Sequence, residues 1–367
     1  MTELELLVGS DAFWRRAAAD CARASRRLLV QAMTFEGDTV GQTVASAIGG
    51  SPAADRRVLV DAYSRVVVSD RWVAWPGAGP ELRREARATD AMFRGLVAGG
   101  TGVKVTNPFA PLLGNYPARN HKKLIVADDV AYVGGINFSD HNFAWRDFMV
   151  RIQGQKAADF LAADFAATWA GAPRPASKQL DGLRLISLDG RSNHDFFTEA
   201  EAMIGAARRE IVVMSAYLTF PFTAPLAAAA RRGVVVKLIT PWSNNKPLVR
   251  DYLLSAAETS GFDVRVLPDM SHFKGILIDG ARLLVGSCNF DFVGHEAEEE
   301  LVAVIESEAL IEDFRRQVIE PAVADSVALG ARRVGSLRGL TAHGVLKLAQ
   351  LAARAARGAR RTAVDWI

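Results

Sequence analysis

The chain has 367 residues, half of them hydrophobic, and its 44 basic and 41 acidic side chains leave a formal net charge of +3. That length supplies two halves of about 150 residues with cores of their own. The charge balance argues against a chain built as a polybasic nucleic-acid binder. Two cysteines, Cys21 and Cys288, give no disulfide framework and read as buried free thiols.

No run approaches eighteen continuous apolar residues, so no transmembrane helix is expected. The opening Met1-Thr2-Glu3-Leu4-Glu5 is acidic and lacks the basic start of a secretory signal. A cytoplasmic location follows as the expectation, with export by a route that leaves no recognisable signal as the alternative.

In chain order, Ala24 to Val30 closes a helical run and opens a strand, and Arg57-Val58-Leu59-Val60 reads as a second strand. An excursion from Arg65 to Asp90 follows, with Trp72, Trp75, Pro76, Pro80 and several arginines. It reads as a packed surface segment or as a loop at a lipid headgroup surface. The stretch His121-Lys122-Lys123-Leu124-Ile125-Val126-Ala127-Asp128 leads to Gly134-Gly135-Ile136-Asn137, and then to Trp145-Arg146-Asp147-Phe148. Gly171 to Gln179 is a Pro/Ser-containing connector.

The pattern then repeats. Ala206 to Val212 closes a helix and opens a strand, and Gly233-Val234-Val235-Val236 reads as the next strand. His272-Phe273-Lys274-Gly275-Ile276-Leu277-Ile278-Asp279 leads to Gly286-Ser287-Cys288-Asn289 and on to Glu298-Glu299-Glu300-Leu301. The predicted domains are 1–170, a linker at 171–180, 181–330, and a basic amphipathic tail at 331–367. Each half alternates helix and strand, which predicts an α/β fold with mixed sheets.

The doubled motif carries the chemistry. One chance copy of His-x-Lys-x4-Asp is expected on the order of one time in a hundred for this composition, and two copies far less often. Histidine and lysine two apart on a strand share a face. A tight turn at Asp279-Gly280-Ala281-Arg282 would pair Asp279 with Arg282 and set Asn289 opposite His272 and Ser287 opposite Lys274. A three-residue turn at Asp128-Asp129-Val130 would set Asn137 opposite His121. Each hairpin should therefore present His, Lys and Asn together.

Seven strand residues span roughly 23 Å, so neither aspartate reaches its own histidine. Asp128 and Asp279 read as turn residues whose carboxylates satisfy nearby backbone or basic groups. Asp147 and Glu300 each head a strand after a hairpin and are the candidate partners that fix the histidine tautomers. The motifs lack carboxylate or thiolate at ligand spacing, so no metal and no cofactor is expected. Lysine and asparagine suit phosphate oxygens, and two histidines can divide the roles of nucleophile and general acid.

These residues resemble the phospholipase D superfamily, whose signature is a doubled HxKxxxxD followed by a Gly-rich turn and Asn. The resemblance covers roughly residues 10–320. The second copy fits in full; the first is one residue shorter and has Gly-Gly-Ile-Asn in place of Gly-Ser-x-Asn. That variant, followed by Trp-Arg-Asp, is similar to the cardiolipin synthase-like branch, whose bacterial members often begin with membrane spans not found here. The resemblance implies two homologous α/β halves around one shared active site. It also implies a phosphohistidine intermediate formed without metal, with His121 as nucleophile and His272 as acid. The site residues it marks are His121, Lys123, Asp128, Asn137, His272, Lys274, Asp279 and Asn289, supported by Asp147, Glu300 and Ser287.

The implied substrate is a glycerophospholipid, with an alcohol or water as acceptor. Both motifs lie in one chain, so a monomer is expected. The same chemistry on nucleic acid, and a non-catalytic lipid-binding scaffold, are the competing readings. From residue 331 onward eight Arg/Lys face one acid, Asp365. There Leu340, Val345, Leu348, Leu351, Ala352 and Ala355 can form an apolar stripe beside Arg354, Arg357 and Arg361. Such a helix would lie on anionic lipid or dock on the body with its arginines in solvent.

Overall fold

The computed structural model describes residues 2–73, 77–110, 114–330 and 334–366. Trp75 and Pro76 of the expected excursion lie outside them. Two mixed sheets form the framework, and their strands follow the same order. The first runs Glu3–Val8, Phe148–Gln153, Val130–Gly134, Leu124–Ala127, Arg27–Ala32, Asp55–Asp61, Gly102–Thr106 and Ala363–Asp365. In the second, Ala176–Leu180 precedes Leu183–Asp189, Glu299–Ile305, Arg282–Gly286, Lys274–Ile278, Glu210–Ser215, Val235–Pro241, Asp263–Leu267 and Val327–Ala328.

In both sheets the central strand, Arg27–Ala32 or Glu210–Ser215, pairs parallel with its successor and antiparallel with the motif strand. These central strands are apolar on both faces, as strands covered from two sides must be. Helices such as Ser10–Arg23, Thr39–Gly49 and Pro80–Ala98 cover the outer face of the first sheet, around Phe13, Phe35 and Phe93. Helices Asn193–Gly205 and Pro247–Thr259 do the same for the second, around Phe197, Phe222 and Leu253.

The inner faces share one core. Leu29, Leu124, Val126 and Phe148 from the first sheet pack in the same buried cluster as Val212, Leu277, Leu283 and Leu301 from the second. Lys122, fully buried, crosses this layer, its ammonium 2.7 Å from Asp164 and 3.1 Å from the Ser187 hydroxyl.

The hairpin geometry corrects the expected register by one residue. The second copy has the longer turn: Ile278 pairs with Arg282, leaving Asp279, Gly280 and Ala281 in the loop. Asp279 at φ 51° and Gly280 at φ 67° are consecutive left-handed residues, and glycine takes the second at no steric cost. In the first copy Ala127 pairs with Val130, so only Asp128 and Asp129 turn the chain. Both ladders stop short of the asparagines. Asn137 and Asn289 lie in the loops after Gly134 and Gly286, and are not ladder partners of the histidines.

The stretch expected as a connector is partly strand, because Ala176–Leu180 pairs along Leu183–Asp189. Of the two forms expected for the basic tail, the described residues show a helix docked on the body. Helix Ser336–Ala356 docks through Ala342, Leu346, Ala353 and Ala356, all buried. Two of its arginines are paired while remaining partly exposed: Arg354 and Arg357 bind the buried Glu296 carboxylate. Arg361, also buried, donates to the carbonyls of Gly190 and Ala297. Ala363–Asp365 then pairs antiparallel with Gly102–Thr106, returning the chain to the first sheet. Trp366 packs on Phe93, with ring centroids 4.3 Å apart.

Candidate active site

The two motif segments enter the site as extended chain just before their strands, and each is held by the opposite half. The His121 N–H donates to the Glu299 carbonyl at 2.9 Å, and the His272 N–H to the Arg146 carbonyl at 2.7 Å. Short parallel bridges, Asn120 with Glu299 and Arg146 with Ser271, accompany these bonds. Arg119 and Asn120 anchor the first segment on the buried Asp61, at 3.0 and 2.8 Å.

The orienting carboxylates are likewise exchanged between halves. His121 Nδ1 lies 2.9 Å from Glu300 Oε1, and His272 Nδ1 lies 2.8 Å from Asp147 Oδ2. With Nδ1–H donated to a carboxylate, each imidazole presents Nε2 as its reactive nitrogen. Ser287 donates its hydroxyl to Glu300 and accepts the Leu301 N–H at 2.9 Å. Asp147 has no such hydroxyl and is steadied by the Phe148 N–H at 2.9 Å.

The Gly135/Ser287 difference between the motifs has a steric cause. A Cβ on Gly135 would meet Asp147 Oδ2 at 2.4 Å. The shorter Asp147 carboxylate occupies the space that the Ser287 side chain fills beside Glu300.

Both motif lysines are about 1% exposed. Lys123 donates to the His121 carbonyl at 2.6 Å. The Lys274 ammonium is 2.8 Å from the His272 carbonyl and 2.9 Å from each nitrogen of its ring. Burial lowers the Lys123 pKa to about 7 and that of Lys274 to about 8, against the pull of Glu300 and Asp147. Burial, reinforced by these lysines and by Lys246, also holds both imidazoles well below the usual histidine range, hence neutral. Asp147 and Glu300 are pushed up to about 7 by burial, opposed by the same lysines.

Asn137 Oδ1 accepts the Thr34 N–H at 3.2 Å, which fixes the amide and leaves Nδ2 as its donor. Asn289 is buried, and among the described residues its Oδ1 has no hydrogen-bond partner.

Asp128 and Asp279 are remote from this chemistry. Asp128 accepts the N–H groups of Ser25, Arg26 and Arg27. Asp279 accepts those of Arg208, Arg209 and Glu210. Three backbone hydrogen bonds hold each carboxylate below its ordinary pKa despite the desolvation that opposes them. They clamp the start of each central strand to its motif hairpin.

Further residues complete the site. Trp145 and Tyr217 flank His272, with ring centroids at 5.3 and 5.8 Å. The Lys246 ammonium lies over the Tyr217 ring at 4.8 Å. Glu298, buried and with its pKa raised well above the usual range by desolvation, Asp291 and Glu300, joins Glu300 beside His121. These three offer one ligand atom each within 4.8 Å of one another. The expectation that no carboxylate stands at ligand spacing from a motif histidine is therefore corrected, since the fold supplies what neighbouring sequence positions do not. Trp145 sits two residues before Asp147 and was visible as part of that run; Tyr217, Lys246 and Glu298 arrive through tertiary packing.

Two homologous α/β halves that exchange carboxylates onto each other's histidine define a duplicated fold with one composite two-histidine centre. Residues 201–320 match the sequence profile of the cardiolipin synthase, PLD-like domain family. Cardiolipin synthase B of Salmonella typhi is 26% identical over 324 residues, covering 79% of this chain and 73% of that protein. Cardiolipin synthase 1 of Staphylococcus aureus (strain COL) is 30% identical over 225 residues, 54% of this chain and 45% of that one. Among solved structures, phosphatidylserine synthase from Haemophilus influenzae Rd KW20 superposes with a TM-score of 0.69 at 16% identity, covering 96% of this chain and 95% of that chain. The chain is thus similar to cardiolipin synthases over most of its length and to their PLD-like domain profile in its second half, on a fold shared with phosphatidylserine synthase.

Proposed function

We propose that the protein is a phosphatidyltransferase that moves a phosphatidyl group from a glycerophospholipid to an alcohol through a phosphohistidine intermediate. The observation that carries this reading is the crossed pair of dyads, His121–Glu300 and His272–Asp147, with two buried lysines beside them.

His121 Nε2 attacks phosphorus, forming the P–N bond as the P–O bond to the leaving alcohol breaks. His272, which takes up a proton on Nε2 as the anionic phosphodiester binds beside it, gives that proton to the leaving oxygen and becomes neutral. The acceptor alcohol then loses its proton to His272 and attacks phosphorus, and the P–N bond breaks to release neutral His121. Lys123 and Lys274 supply fixed positive charge to the non-bridging oxygens, and Asn137 and Asn289 supply amide donors. Binding of the anionic phosphodiester restores the lysine charges that burial weakens.

Two aromatic rings against His272 support transfer over hydrolysis, because they dry the side from which the second nucleophile is activated. The names of the relatives, cardiolipin synthase and phosphatidylserine synthase, point the same way. A glycerophospholipid substrate supports the reading that the enzyme works at a membrane surface as a peripheral protein. Among the described residues no helix is long and apolar enough to cross a membrane.

The test is product analysis by mass spectrometry after incubation with mixed phospholipid vesicles and glycerol. Wild type should yield transphosphatidylated lipid, and His121→Ala and His272→Ala none. Phosphatidic acid as the sole product would make the enzyme a hydrolase. Cleavage of DNA with no lipid product would overturn the lipid assignment.

A further inference from the structure

The helix Ser336–Ala356 has two apolar faces, and only one is covered. The inner face carries Ala342, Leu346, Ala353 and Ala356 into the core of the second half. Leu337, Leu340, Leu348 and Leu351 are 76%, 70%, 69% and 59% exposed. At 100° per residue these four fall within an arc of roughly 80° opposite the buried face, over a length of about 21 Å. Single exposed leucines are ordinary, but four on one face, two on either side of Gly344, form an apolar stripe.

We propose that this leucine face is the surface by which the protein docks on anionic lipid. The inference rests on the phosphatidyltransferase reading for its purpose, and on charge for the choice of occupant. From Ser326 to Val364 there is no Asp or Glu. Arg338 and Lys347 flank the stripe, and Arg360 follows it, all exposed. A second copy of the chain would set this acid-free face against its own like charge, whereas an anionic bilayer offers both the apolar interior and the opposite sign.

The docking position also suits the site. The helix runs antiparallel to Pro247–Thr259: Gly339 abuts Ser255, and the His343 ring lies 5.7 Å from Tyr252. That register carries Leu348 toward the start of the neighbouring helix, where Leu248 is 46% exposed. Two residues earlier is Lys246, whose charge acts on both catalytic histidines. A lipid surface on the leucine face thus lies beside the loop that borders the phosphate site.

The experiment is flotation of the full chain with vesicles of phosphatidylcholine alone or mixed with phosphatidylglycerol. It compares wild type with a variant carrying Leu337→Ser, Leu340→Ser, Leu348→Ser and Leu351→Ser. Wild type should float with the anionic vesicles, and the variant should partition at least tenfold less. Circular dichroism should show the variant folded, since the four side chains are mostly exposed. Turnover of a monomeric short-chain phospholipid should be the same in both. Equal flotation of both proteins would overturn the proposal, as would wild type that ignores anionic vesicles. A wild-type dimer that the substitutions dissociate, with flotation unchanged, would assign the face to a second copy instead. Flotation without turnover of any lipid would leave the docking surface standing and remove the catalytic reading.

Discussion

Glu300 meets His121 across 179 positions of sequence, and Asp147 meets His272 across 125. Each half therefore holds a histidine whose tautomer is set by the other half. Neutralising either carboxylate should lower kcat by about 10²–10⁴-fold, as when the orienting acid of a histidine nucleophile or base is amidated. Asp147→Asn and Glu300→Gln should both show this, measured by steady-state lipid turnover, with folding retained. A change of only a few-fold in both would mean the dyads do not orient the imidazoles.

The pH dependence follows from the buried lysines. Lys123 at about 7 and Lys274 at about 8 lose positive charge as pH rises. kcat/KM, which reports the free enzyme, should therefore decline from pH 7 to 9. kcat should decline less, because bound phosphodiester keeps the lysines charged. Parallel profiles for the two constants would contradict this account.

Stability should move with the carboxyl groups. Asp147 and Glu300 sit near 7 in the folded chain, above the ordinary carboxyl range of about 4. Between those values the folded state holds protons that the unfolded state has lost, so stability falls as pH rises. Thermal melts from pH 4.5 to 7.5 should show the decline in wild type and a shallower one in Glu300→Gln, which cannot ionise.

Asp128 and Asp279 belong to the signature yet serve the framework. Replacing either by alanine removes a carboxylate that accepts three backbone N–H groups, at a cost of about 1–3 kcal/mol. The melting temperature should drop while kcat at a permissive temperature stays within about twofold. Loss of turnover without loss of stability would give these aspartates a direct part in the chemistry.

Gly135→Ser, which makes the first motif look more like the second, should be damaging. Its Cβ would displace the Asp147 carboxylate, so turnover should fall with the Asp147→Asn variant and not below it. A fully active Gly135→Ser enzyme would show that this close approach is relaxed in solution.

Much of the site was legible because the chemistry repeats locally. His121, Lys123, His272 and Lys274 share short segments, and Asp147 and Glu300 open recognisable strands. What alternation cannot supply is register to one residue. Asp128 and the Asp279–Gly280 pair adopt left-handed turns whose lengths reversed the expected assignment. Pairing between halves is a tertiary property, so neither the exchanged carboxylates nor Tyr217, Lys246 and Glu298 could be read from neighbouring positions. The terminal helix shows the same limit. Its sequence displays the outward leucines clearly, but the pairing of Arg354 and Arg357 with Glu296, and the burial of Arg361 against distant carbonyls, are tertiary.

The strand Ala363–Asp365 closes the first sheet against Gly102–Thr106. During synthesis that edge stays open until the entire second half has left the ribosome, so the half made first is the last to be completed. Between those moments Gly102–Thr106 presents unpaired backbone, and Phe93 lacks the Trp366 ring that covers it. Folding of this enzyme thus ends with a stitch that runs backward along the chain, and the interval before it is when a nascent molecule is most open to pairing with the wrong strand.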